Sequence, residues 1–116
     1  LLQMGAKPNV QDREGIFPLF WALFNGDVAL VATLIEHGAD PIVFDSDGCS
    51  ALHYAAINGY TTALSSLISL KADVNTQDTE GCAPVFYAVL TSHPEAVEIL
   101  LLNGRDLVKQ QPESQV

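Results

Sequence analysis

The chain has 116 residues, of which 48% are hydrophobic, and 14 acids against 5 bases give it a net charge of −9. That apolar content suits a packed core and not a disordered segment, while the acidity repels phosphate backbones and anionic lipid surfaces, so no nucleic acid is expected as a partner. No apolar run approaches the ~20 residues of a membrane span, so no membrane insertion is expected.

Residues 1–11, LLQMGAKPNVQ, align with LIEHGADPIVF from Leu34 to Phe44 and read as the tail of an earlier repeat. The opening Leu, with no basic start before an apolar core, suggests a piece of a longer polypeptide rather than a secretory leader. From Asp12 the pattern restarts every 33 residues: Asp12, Asp45 and Asp78; Gly15, Gly48 and Gly81; Ala22, Ala55 and Ala88; Leu34, Leu67 and Leu100. The expected units are 12–44, 45–77 and 78–110, followed by a loose tail over 111–116.

Within the first unit, PLFWALFNG predicts an apolar helix closed by the Gly that favours a left-handed stop. A second helix follows, with Leu30, Val31, Leu34 and Ile35 at three- and four-residue spacing. In the second unit ALHYAAING repeats the first helix, and in the third Pro94 marks a helix start where a missing N–H is harmless. Each unit opens on an Asp-x-x-Gly turn, in which Asp bonds nearby N–H groups and Gly supplies positive φ. A helix pair this small cannot bury its apolar faces alone, but stacked copies can.

The 33-residue unit, with SALHYAAINGY and KADVNTQ in its middle copy, resembles the ankyrin repeat. The resemblance runs from Leu1 to about Gln110 and implies an all-α fold, an ankyrin-repeat α-solenoid of stacked helix-turn-helix units with β-turn or hairpin loops. The middle unit keeps Asp45, Gly48, Ser50, Leu52, His53, Ala55, Ala56 and Gly59 of the family pattern; the third keeps Pro84, Leu100, Leu101 and Gly104. In the family a Thr and a His share one hydrogen-bond network, which Ser50 and His53 can rebuild. Phe17 with Phe20, and Ala83 with Phe86, replace both partners together, which avoids an orphaned polar group worth ~1–3 kcal/mol. Lys71 stands where the family places Gly at the end of the second helix.

The resemblance implies a protein-binding module, a scaffold or adaptor, using turn tips and the exposed side of the first helix. Arg13, Glu14, Ile16, Asp47, Cys49, Glu80 and Cys82 are then tip residues, and Phe24, Asn25, Ile57, Asn58, Leu90 and Thr91 face the groove. Phe24, Ile57 and Leu90 share one repeat position and form an apolar row, Ile16, Cys49 and Cys82 form another, and beside these runs the acidic row Glu14, Asp47 and Glu80. The expected partner is a protein segment with apolar anchors and basic flanks. The alternative is a structural spacer or autoinhibitory array inside a larger multidomain enzyme.

No catalysis, cofactor or metal is expected. His37, His53, His93, Cys49 and Cys82 match no C-x-x-C, H-E-x-x-H or phosphate-loop motif. His53 reads as a network residue, His37 and His93 as solvated. A Cys49–Cys82 disulfide is not expected, because stacked repeats lie ~10 Å apart, beyond the ~7 Å reach of bridged Cα atoms. Reduced thiols suggest an intracellular setting, cytoplasmic or nuclear. Asn75 resembles the ankyrin asparagine that intracellular hydroxylases modify, and the ending ESQV resembles a ligand of PDZ domains.

Overall fold

The computed structural model describes residues 7–109; the ESQV ending lies outside the described residues. Among the described residues six helices form three pairs: α1 (Pro18–Asn25) with α2 (Val28–Glu36), α3 (Ala51–Ile57) with α4 (Thr61–Ser69), and α5 (Pro84–Leu90) with α6 (Pro94–Lys109). The first helix of each pair starts 33 residues after its predecessor, and so does the second. The fold is all-α; among the described residues, the β-type pairing is one isolated bridge between Phe44 and Ser50.

The helix ends follow from local chemistry. Pro18 and Pro84 open α1 and α5 at positions where no N–H is needed. Asp27 caps α2 by accepting the Leu30 N–H at 3.1 Å. At α3 the Ser50 N–H donates to His53 Nδ1 at 2.9 Å, while the His53 N–H donates to Ser50 Oγ at 3.4 Å. This is a reciprocal cap with His in the place usually held by Glu or Gln. Lys71, at φ 78°, does adopt the left-handed backbone that Gly38 adopts one repeat earlier, a strain of roughly 1 kcal/mol for a side chain with a Cβ.

α1, α3 and α5 lie side by side as an inner layer. Leu19, Phe20 and Leu23 of α1 are sealed between them with Leu52, Ala55 and Ala56 of α3. The small alanines let the helices approach closely. The outer helices add Val31, Leu34, Leu64, Leu67, Ala96 and Leu100 to the same core.

The outer layer is uneven. α4 packs directly on α6, but α2 and α4 are separated by a cleft of about 440 Å³ lined by Val28, Val31, Ile35, Tyr60, Leu67 and Leu70 among others. The His93 ring explains the tight junction. It covers Gly59 so closely that a Cβ there would sit 2.3 Å from Nδ1, while the equivalent Gly26 has open space beside it. His93 is therefore half-buried, not solvated as its sequence position suggested.

Two features mark the last pair. The register places a helix stop at Gly104, yet α6 continues to Lys109. At the first junction Asn9 holds the stop in place, donating to the Gly38 carbonyl at 3.0 Å and accepting the Asp40 N–H at 2.7 Å. Asn75, the register equivalent of Asn9, stands beside Gly104, yet the helix runs on despite the ~1 kcal/mol that an interior Gly costs. The outward face of α5 is also uncovered. Phe86 and Val89 are 50% and 60% exposed, although Phe20 and His53, and Leu23 and Ala56, are fully buried in the same register.

Candidate interaction surface

Each turn is tied down by its first aspartate. Asp12 Oδ1 accepts the N–H groups of Glu14 at 2.9 Å and Ile16 at 3.0 Å. Asp45 does the same for Asp47 and Cys49, and Asp78 for Glu80 and Cys82, all at 2.9 Å. The second oxygen reaches the inner helix. Trp21 Nε1 donates to Asp12 at 3.0 Å, the Tyr54 hydroxyl to Asp45 at 2.5 Å, and the Tyr87 hydroxyl to Asp78. Every turn is thus lashed to an aromatic residue nine positions on.

These bonds shape the protonation of both partners. The Ile16 N–H and then the Trp21 indole hold the Asp12 carboxyl below the ordinary value. The Tyr87 hydroxyl, followed by the Cys82 N–H, does so for Asp78. Burial and the Asp45 bond push the Tyr54 hydroxyl up, and the Asp78 bond raises Tyr87.

The tips are also linked from unit to unit. Ser46 Oγ donates to the Glu14 carbonyl at 3.0 Å, and the Thr79 N–H to the Asp47 carbonyl at 2.9 Å. Behind them His53 Nε2 lies 2.8 Å from the Cys82 carbonyl. Because Nδ1 accepts the Ser50 N–H, Nε2 carries the proton and donates across the junction.

The residues singled out in the sequence differ in exposure and in engagement. Arg13, Glu14, Asp47 and Glu80 are exposed at the tips, and Asn25 and Thr91 are exposed at the ends of α1 and α5. Phe24 and Leu90 stand out at 51% and 66% exposure. Ile57, in the middle unit with a neighbour on each side, is half-buried, and so are Ile16, Cys49 and Cys82, tucked under the tips rather than forming an open row. Two polar residues are already engaged. Asn58 Nδ2 donates to the Leu23 and Phe24 carbonyls at 2.6 Å each, closing the end of α1, and Thr91 Oγ1 donates to the Tyr87 carbonyl at 2.8 Å. Asn75 is exposed, and its N–H is held by Asp73 Oδ1 at 2.9 Å.

Sequence reasoning missed the aromatic row. Trp21, Tyr54 and Tyr87 are themselves 33 apart, and Trp21 is 46% exposed with Phe24 packed edge-on at 6.4 Å between centroids. The strip runs from the acidic tips, across the aromatics, to Phe24, Ile57 and Leu90; Trp21, Phe24 and Leu90 are its exposed members, and Tyr54, Tyr87 and Ile57 are half-buried.

Both cysteines are free thiols. Burial, then Asp45 and Asp78, pushes Cys49 up to about 12, so it stays protonated and a poor nucleophile at neutral pH. Among the described residues no cluster of three or more His, Cys, Asp or Glu could hold a metal ion, and no helix is long and apolar enough to cross a membrane.

A family model described as ankyrin repeats, in three copies, matches residues 1–78. The chain belongs to the ankyrin-repeat family. A search of curated proteins found no match. Ankyrin repeats are generally protein–protein interaction modules and typically non-catalytic. The ankyrin helix pair α5–α6 lies beyond the matched span but keeps the 33-residue interval.

Proposed function

We propose that this ankyrin-repeat chain is a protein–protein interaction module whose concave face takes a partner segment with apolar anchors and basic flanks. The observation that carries the reading is the exposed strip of Trp21, Phe24 and Leu90 beside the acidic tips Glu14, Asp47 and Glu80. Solubility favours polar residues at such positions, so large apolar ones retained in phase support an interface. The acidic row adds steering of a basic partner, an effect that weakens with salt.

The test compares capture of a partner by the native chain with capture by a Phe24→Ser/Leu90→Ser variant. Both side chains are exposed, so circular dichroism should show the fold unchanged. A partner lost by the variant supports the groove; equal capture by both moves the site elsewhere. Reversing Glu14, Asp47 and Glu80 to Lys should weaken binding and flatten its salt dependence, and no change in either removes the electrostatic part of the proposal.

A further inference from the structure

The strip repeats its chemistry at the spacing of the stack, and that spacing restricts what can match it more than once. Side-by-side helices lie ~8–10 Å apart. In a β-strand, residues three apart cover that distance but point to opposite faces. A polyproline II segment advances ~9.3 Å per three-residue turn and returns every third side chain to the same face. Aromatic-lined grooves are the surfaces on which such segments dock.

The rings also favour a particular side chain. Trp21, Tyr54 and Tyr87 each bond a turn carboxylate through their N–H or O–H. Trp21 is 46% exposed with Phe24 edge-on at 6.4 Å; Tyr54 is half-buried with one face stacked on Phe20 at 4.6 Å, leaving the other face for a ligand; Tyr87 is half-buried with His53 edge-on at 5.5 Å. An anion therefore sits at the edge of each ring, with Glu14, Asp47 or Glu80 two residues further along. A planar guanidinium can lie on the ring and donate in its own plane toward the acid, which a compact ammonium cannot do. Arg13 is the single base among these tips, against six acids: Asp12, Glu14, Asp45, Asp47, Asp78 and Glu80.

We infer that the partner presents an extended polyproline II segment with arginine at every third position, one arginine over each of Trp21, Tyr54 and Tyr87. This rests on the interaction surface proposed above and adds the identity and register of its basic residues.

The test uses end-blocked synthetic peptides and the fluorescence of Trp21, the one tryptophan of the chain. The first peptide is three Arg-Pro-Pro triplets; the second is its isomer with the three arginines adjacent; the third replaces arginine by lysine. The phased arginine peptide should bind about tenfold or more tightly than its isomer of equal charge, since each stacked cation adds its own increment. The lysine peptide should bind a few-fold more weakly than the arginine one. Glu14→Gln/Asp47→Asn/Glu80→Gln, at exposed tips, should weaken the phased peptide without unfolding the chain. Tyr87→Leu should erase most of the preference for phasing.

Equal binding of the two isomers, or no binding at millimolar peptide, overturns the inference. Those results, together with partner capture abolished by Phe24→Ser/Leu90→Ser, leave the interaction surface standing and remove only its arginine register.

Discussion

The two oxygens of Asp78 divide their work, one closing a turn through the Glu80 and Cys82 N–H groups and the other gripping Tyr87. All these bonds favour the charged carboxylate, so its folded pKa lies below the ordinary 3.8. The unfolded chain then binds the proton first as pH falls. The resulting stability is full above 3.8 and is lost as pH drops through the folded value. Tyr87→Phe removes the largest contributor to this depression. Urea unfolding of the native chain and the variant should differ most near neutral pH and converge in strong acid; a gap that widens on acidification contradicts the account. The Asp turns were legible in the sequence because a phased Asp-x-x-Gly has a local explanation. Their second grip was not recognised, although Trp21, Tyr54 and Tyr87 carried the period openly. Asn58 was illegible for a different reason: the carbonyls it closes, Leu23 and Phe24, lie 35 and 34 residues back.

At the level of helices, Gly26 and Gly59 are equivalent stops at φ 69° and 64°, but with different neighbours. Gly26→Ala adds only left-handed strain, about 1 kcal/mol. Gly59→Ala must also displace the His93 ring, whose nearest atom would lie 2.3 Å from the new Cβ, and should cost about 1–3 kcal/mol more, in the range of an overpacked core. Paired chemical-denaturation curves test this, and equal losses would show that the outer junctions are packed alike. Helix starts and stops were readable because Pro18, Pro84, Pro94, Gly26 and Gly59 act on their own backbone. The run of α6 through Gly104 to Lys109 was not readable, since Asn75 stands beside Gly104 in the register in which Asn9 holds the stop at Gly38. The polar network absent around Phe20 and kept around His53 was foreseeable from the joint replacement of both partners. The exposure of Phe86 was not foreseeable, because it depends on what lies beside α5.

For the whole molecule, burial depends on place in the stack more than on residue type. Phe20→Ala removes a ring with no exposure and should cost ~3–5 kcal/mol. Phe86→Ala removes the same ring from a half-exposed position in the same register and should cost less than about half as much. Thermal melts of the two variants decide the matter, and comparable losses would mean that the face of α5 is covered in solution. The stacking of the helix pairs was legible from the 33-residue phase alone. Which members of a row stay open was not, for Ile57 shares its repeat position with Phe24 and Leu90 and is nonetheless half-buried. The unequal spacing of the outer layer has a mechanical consequence. The first helix pair is therefore joined to the second at the front and along α1, through Ser46, Asn58 and the Phe20–Tyr54 stack, while the cleft leaves its back without the packing that α4 makes on α6. At the second junction His93 fills the corresponding space over Gly59, so the two outer junctions of one repeating unit differ in how much of their backs is joined.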